Sequence, residues 1–271
     1  MSLSAWARAL QTLGHVRARG RYLRRVLRDE LLWAWIPESQ RQRVTDAIYA
    51  RSSGYRPGDA LFDRGLDPHE EALLAHPGIP RAGRVLLGGA GGGRELLALS
   101  RRGYAVTAFE PAKALWESCA REARAFDGAR VLRGTYRDLA AAVDGEGPLA
   151  SLTQERYGFV LLGWRSLSHV LTADERAALF RALRGLAPEA PILATFAPTT
   201  HDPGRAQRTL RRMFAALGAP SHAPPGAWFL SHAGFAVTLD RDELSRAAAA
   251  GSYVIELFGT APDGFALLVP G

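Results

Sequence analysis

Five glycines and one alanine, Gly88-Gly89-Ala90-Gly91-Gly92-Gly93, stand directly behind the apolar run Val85-Leu86-Leu87 and ahead of a helical pattern. Backbone without Cβ atoms lets a ligand come close, and the amino terminus of the following helix favours a negative group. A second apolar run, Val106 to Phe109, ends on Glu110-Pro111, where a carboxylate can accept both hydroxyls of a ribose. Together these segments read as the first half of a nucleotide-type αβα site. Two further groups could do chemistry. Gly163-Trp164-Arg165-Ser166, with His169, follows the apolar run Phe159 to Leu162. Thr199-Thr200-His201-Asp202 follows the run Ile192 to Phe196. An imidazole titrates near neutrality and can take a proton from an attacking group, so His169 and His201 are the candidate bases, with Asp202 placed to orient His201. The competing reading is that His169 packs beneath its loop and that His201 and Asp202 are solvated.

Glycine spacing decides which ligand is meant. A dinucleotide fingerprint needs a third glycine five residues after the first, and that position is Arg94 counted from Gly89 and Leu96 counted from Gly91. The spacing present is Gly89-x-Gly91-x-Gly93. In this the chain resembles the class I S-adenosylmethionine-dependent methyltransferases, whose first motif is a strand, Gly-x-Gly-x-Gly, a helix, and a strand ending in Asp or Glu. The resemblance covers residues 84–196 in detail. It implies that Gly89, Ala90, Gly91 and Gly93 approach the methionine and ribose parts of the cofactor, with Glu110 and Pro111 at the ribose. It further implies Thr135 and Tyr136 at the adenine, and Gly163 and Trp164 near the sulfonium. Tyr55, Arg165 and Ser166 are then the candidates for substrate contact, and S-adenosyl-L-homocysteine is the expected product. Leu87 departs from the pattern, because many members have an acid two positions before the first glycine to support the methionine amino group. Thr135 stands where an acid often meets the adenine amine. No Asn-Pro-Pro-Tyr-like tetrapeptide follows Leu162, which argues against base-aminating DNA methyltransferases and glutamine methylators.

The elements that must position these residues alternate strand and helix from Arg84 onward, the mark of a parallel sheet. Strands are expected at 85–87, 105–109, 130–132, 159–162 and 192–196, with helices at 94–102, 112–126, about 173–186 and from 241 to Gly251. The last two apolar runs, Tyr253 to Phe258 and Phe265 to Val269, are joined by a short link and pair antiparallel. The fold class is therefore α/β: a Rossmann-like, doubly wound, seven-stranded sheet with its last strand antiparallel, plus an N-terminal helical cap. Residues 1–80 form that cap or lid, with helices at 5–13, 22–35 and 40–51 and a capping box at Asp67 and Glu70. Residues 81–271 form the cofactor-binding core. The long segment 197–232, helical over 208–217, is a substrate lid inserted into it.

Composition bounds the partners. The chain has 271 residues, 47% of them hydrophobic, enough for one sizeable core. No apolar run approaches the ~20 residues of a membrane-spanning helix, so no membrane partner is expected. One cysteine, Cys119, allows no internal disulfide and no cysteine-based metal site; no metal is expected, and a reducing cytoplasm is the natural location. The net charge of +7 comes almost entirely from arginine, and seven arginines crowd residues 8–28. Aromatic residues are not interleaved with them as a single-strand binder requires, so nucleic acid is a possible partner but not the favoured one. The expected acceptor is a small molecule, a natural product or a modified peptide. An RNA methyltransferase using the arginine-rich start, and a non-catalytic methyltransferase-like scaffold, are the alternatives. Oligomeric state is open.

Overall fold

A computed structural model describes residues 5–52, 54–199 and 204–271, the side chains of residues 5–19 excepted. Its centre is a seven-stranded sheet built from β1 (Arg84–Gly88), β2 (Ala105–Glu110), β3 (Arg130–Arg133), β4 (Phe159–Leu162), β5 (Ile192–Phe196), β8 (Tyr253–Gly259) and β9 (Gly264–Pro270). The strand order is β3-β2-β1-β4-β5-β9-β8, parallel except for β9, which runs antiparallel to both β5 and β8. The order reverses at β1, whose Gly88 lies opposite Phe109 of β2 on one side and Leu162 of β4 on the other. That reversal opens a crevice at the carboxyl ends of β1 and β4, where open α/β sheets hold ligands.

The period of two in these strands feeds two cores. Leu86, Val160 and Leu162 face one layer with α7 (Asp138–Val143), α8 (Ala173–Leu186) and α10 (Arg241–Ala249). Val85, Leu87, Phe159 and Leu161 face the other, with α4 (Pro68–Leu74), α5 (Arg94–Ser100) and α6 (Lys113–Ala123). Central strands buried on both faces read as continuous apolar runs, which is why β4 and β5 were legible to the residue. Three capping boxes, Asp67 with Glu70, Thr172 with Glu175 and Asp240 with Glu243, start α4, α8 and α10.

Elsewhere the sequence and the structure part. The two helices expected over 5–35 are one, α1 (Ala5–Trp35), running through Gly14 and Gly20. A helical glycine costs about 1 kcal/mol, too little to break a helix held by tertiary contacts. Those contacts come from α9 (Arg205–Ala216): Trp35 meets Phe214 edge-to-face at 5.1 Å, and buried Glu30 accepts from Arg211 and Gln207. The segment expected as a lid also contains an unforeseen hairpin, β6 (Ala227–Leu230) with β7 (Gly234–Val237). It packs on α2 (Glu38–Arg51), where the Phe235 N–H donates to Thr45 Oγ1 at 3.2 Å. A short α3 (Ala60–Asp63) completes the elements before α4. Among the described residues no helix is long and apolar enough to cross a membrane.

Candidate active site

The glycine loop leaves β1 by a path only glycine follows readily. Gly89, Gly91 and Gly93 have φ of +67°, +55° and +108°. Their surroundings differ. A Cβ on Gly89 would lie 2.5 Å from Ser166 Cβ, whereas one on Gly91 would meet nothing within 4 Å, so Gly91 opens on free space. Gly93 abuts Cys119 of α6. Gly92, at an unspecified position of the motif, is the tightest: its Cβ would fall 1.8 Å from the Tyr55 carbonyl oxygen. Thus the loop carrying Tyr55 is pressed onto the glycine cluster.

Facing this loop, Glu110 is buried at the end of β2. Its Oε2 accepts from the Gly91 N–H at 2.9 Å and its Oε1 from the Ala112 N–H at 3.0 Å. Burial pushes its pKa up to about 7 against those two hydrogen bonds. Beyond β3, the Thr135 N–H and hydroxyl both donate to Asp138 Oδ2, at 2.7 and 2.8 Å, so Asp138 serves the turn. Tyr136 is half-buried, with its ring edge-on to Phe109, 5.3 Å between centroids, and its hydroxyl 2.6 Å from Ser166 Oγ. The absent Cβ of Gly88 makes room for that ring.

Past β4, the Gly163 N–H donates to the Gly88 carbonyl at 2.8 Å, and a Cβ on Gly163 would sit 2.6 Å from Gly89 O. The Trp164 N–H donates to Glu95 at 2.9 Å and its indole N–H to Asp263 at 2.9 Å. Arg165 takes a left-handed conformation, φ +54°, over-determined by its N–H bond to Thr195 Oγ1 and by a guanidinium paired with Asp263. His169 is half-buried between Tyr49 of α2 and β7, with its Nδ1 2.8 Å from the Phe235 carbonyl and its Nε2 2.8 Å from the Tyr49 hydroxyl. The carbonyl can only accept, so Nδ1 carries the proton and Nε2 accepts from Tyr49. Burial holds the His169 pKa below its ordinary value. Tyr55 lies edge-on to Tyr49, 5.0 Å between centroids, and 6.2 Å from Trp164.

These groups line one cleft, open to solvent at its mouth. Of the residues expected from sequence, Gly89, Ala90, Gly91, Glu110, Pro111, Thr135, Tyr136, Trp164, Ser166, His169 and Tyr55 line it. Gly93, Gly163 and Arg165 are not on the wall: the two glycines pack behind it, and Arg165 turns to Asp263. His201, with Thr200 and Asp202, lies outside the described residues. Sequence reasoning missed Tyr49, which carries no pattern of its own, and Glu95. An acid in the first turn behind a glycine loop was a usable signal for Glu95. Its carboxylate shares the buried Arg94 with Glu70, at 2.7 and 2.8 Å. Burial and the nearby Glu95 charge push Glu70 up to about 7.

No family model matches the chain. No curated protein matches it in sequence either. Solved structures do match in fold. An S-adenosylmethionine-dependent methyltransferase of Methanosarcina mazei superposes with a TM-score of 0.52 at 15% identity, over 76% of this chain and 96% of that one. A structure described for conversion of a disulfide bond into a thioacetal group during echinomycin biosynthesis gives 0.53 at 22% identity, over 84% and 91%. The glycopeptide N-methyltransferase MtfA, complexed with S-adenosylmethionine, gives 0.50 at 16% identity, over 75% and 92%. With the strand order and the glycine loop, these matches establish that the chain has the class I S-adenosylmethionine-dependent methyltransferase fold.

Proposed function

We propose that the protein is an S-adenosylmethionine-dependent methyltransferase acting on a small molecule or a peptide. The observation that carries this reading is the charge of the cavity. In a chain of net charge +7, its wall holds five carboxylates, Glu38, Asp46, Glu95, Glu110 and Glu175, against three guanidiniums, Arg41, Arg94 and Arg137. Such a wall favours a cationic ligand and opposes a dinucleotide pyrophosphate. The open space at Gly91 and the carboxylate of Glu110 fit the cofactor's ribose. When bound, the cofactor supplies an electrophilic methyl group on a sulfonium, leaving S-adenosylhomocysteine after transfer.

The protein's share is alignment and exclusion of water. Glu110 receives the ribose hydroxyls. Thr135, whose hydroxyl donates to Asp138, keeps lone pairs for the adenine amine, beside Pro111, Leu115 and Tyr136. Glu95 takes the part that Leu87 cannot, accepting the ammonium of the methionine moiety. The acceptor lies between Tyr55, Tyr49, Ser166 and Trp164. Its proton passes to the tyrosine hydroxyl as Tyr49 gives its own to His169 Nε2, which burial keeps neutral and ready. Residues 1–80 act as a cap, since α2 and the Tyr55 loop supply one wall, while among the described residues none of 197–232 lines the cavity. The thioacetal-linked and glycopeptide-modifying proteins of the same fold support a peptide or peptide-like acceptor. Buried Cys119 accords with a reducing, cytoplasmic setting.

Calorimetric titration with S-adenosylmethionine, S-adenosylhomocysteine and NADH tests the reading. Micromolar binding of the first two, weakened at least tenfold by Glu110→Ala, is expected. Folded protein that binds neither would overturn it, and binding of NADH alone would return the site to the dehydrogenases.

A further inference from the structure

Behind the cavity wall, a buried histidine without a hydrogen-bond partner lies beside two buried carboxylates. Asp67 caps α4, His69 lies in its first turn, and Asp263 sits in the turn between β8 and β9; one ligand atom from each lies within 4.8 Å of the others. All three residues are buried, His69 at 5% exposure. Neither ring nitrogen of His69 has a hydrogen-bond partner, although the ring is held in place by stacking on Phe265 at 5.6 Å. A buried donor and acceptor left unpaired on one ring is costly and calls for a partner that the protein itself does not supply.

We propose that Asp67, His69 and Asp263 bind a divalent transition-metal ion, for which zinc is the best match to one imidazole and two carboxylates. Each carboxylate is already held by hydrogen bonds, as metal-binding carboxylates are. Asp67 accepts from Arg64, and Asp263 accepts from the Trp164 indole N–H and from Arg165. Carboxylate oxygens have lone pairs to spare beyond those bonds. The charge balance leaves room for a cation. Arg64 and Arg165 are 44% and 37% exposed, so water screens them. Of the buried groups here, three carboxylates, Asp67, Glu70 and Glu95, share the one buried guanidinium of Arg94, and among the described residues Asp263 has only the part-exposed Arg165 as its ion-pair partner. The ion ties α4 to the β8–β9 turn. Through Asp263 it also fixes Trp164 and Arg165, so it is a structural clasp beside the cavity and takes no part in methyl transfer.

The test is calorimetric titration of chelator-treated protein with zinc, and separately with magnesium, alongside thermal melting. One zinc per chain is expected, tighter than magnesium, with a rise in the melting midpoint. His69→Phe keeps the stacking on Phe265 and removes both unpaired nitrogens. It should melt at or above the metal-free wild type, raise the zinc Kd at least tenfold and abolish the zinc-induced rise. Asp263→Asn should also weaken zinc about tenfold while S-adenosylhomocysteine still binds. Zinc bound with unchanged stoichiometry and Kd by His69→Phe would place the ion on other histidines and overturn the proposal. Absence of zinc binding by the wild type, or tighter binding of magnesium, would do the same.

Discussion

Gly92→Ala separates what the glycine pattern implies from what the geometry implies. Gly92 occupies an unspecified position of Gly89-x-Gly91-x-Gly93, and its φ is not positive, so the motif alone predicts a tolerated change. Yet an added Cβ would lie 1.8 Å from the Tyr55 carbonyl oxygen and 2.9 Å from its carbon. Ordinary contact needs about 3.5 Å, so the Tyr55 backbone must retreat by roughly 1.7 Å. Both sides of the contact are backbone, which leaves no flexible side chain to absorb the shift. Overpacking of this kind costs about 1–3 kcal/mol. If the loop retreats, the cost falls on the closed cavity and raises the S-adenosylhomocysteine Kd about 5- to 140-fold. Gly91→Ala is the control for stability: in the ligand-free protein its Cβ meets nothing within 4 Å, and its unfolding penalty is the left-handed backbone alone, about 1–2 kcal/mol. Calorimetry and urea unfolding on both variants give the comparison. A Gly92→Ala protein with wild-type affinity and wild-type urea midpoint would refute the claim that the Tyr55 loop rests on the glycine cluster.

Three further outcomes follow from the same geometry. Glu110 has a folded pKa of about 7 against 4.5 unfolded, so its contribution is full below pH about 4.5 and is lost as pH rises through about 7. That loss amounts to about 3 kcal/mol, and the fall in urea midpoint between pH 5 and 7 should be shallower in Glu110→Gln. Tyr49→Phe removes the donor to His169 Nε2 and should cost about 1–3 kcal/mol in unfolding free energy, with methyl transfer reduced once an acceptor is known. Glu95→Gln keeps an oxygen for the Trp164 N–H but removes the charge. S-adenosylhomocysteine affinity should fall about 10- to 100-fold, while 5′-methylthioadenosine, which lacks the ammonium, binds as before.

What the sequence made legible was local. Gly89, Gly91, Gly93 and Glu110 are constrained by their own backbone and by adjacent strand ends, so spacing alone marked the three left-handed glycines and the strand-end carboxylate. Capping boxes at Thr172 and Asp240 are three-residue signals, and they marked their helices correctly. The misses are through-space. Helix α2 buries Arg41 and Thr45, not an apolar stripe, so nothing in its pattern reveals that Tyr49 faces His169. Arg41 is inside because its guanidinium donates to the Trp33 carbonyl and to Ser221 and lies 4.5 Å from the Trp33 ring. Arg165 was expected at the substrate, but Asp263, almost a hundred residues later, turns it away. The β6–β7 hairpin escaped because each strand has four residues and its loop lacks a strong turn dipeptide.

The arginine-rich start and the cavity point in opposite electrostatic directions, and that contrast bears on the acceptor. Arg21, Arg24, Arg25 and Arg28 of α1 lie on a surface shared with half-exposed Leu23, Leu27 and Leu31, an arrangement that phosphate binding does not need. The cavity wall carries Glu38, Asp46 and Glu175, of which Glu38 and Glu175 are paired with Arg137 while Asp46 accepts only from Gln42 among its hydrogen bonds. Burial raises the Asp46 pKa, so the protein already bears a cost for that carboxylate when it is charged. A polyphosphate backbone led to this cavity would add anionic repulsion to that cost, whereas an amine-bearing or neutral acceptor would relieve or ignore it. Electrostatics therefore favours a compact acceptor that enters between α2 and the loop after β4 over an RNA drawn in by α1. Glutamate substitution of Arg24 and Arg28 should then leave methyl transfer to such an acceptor unchanged.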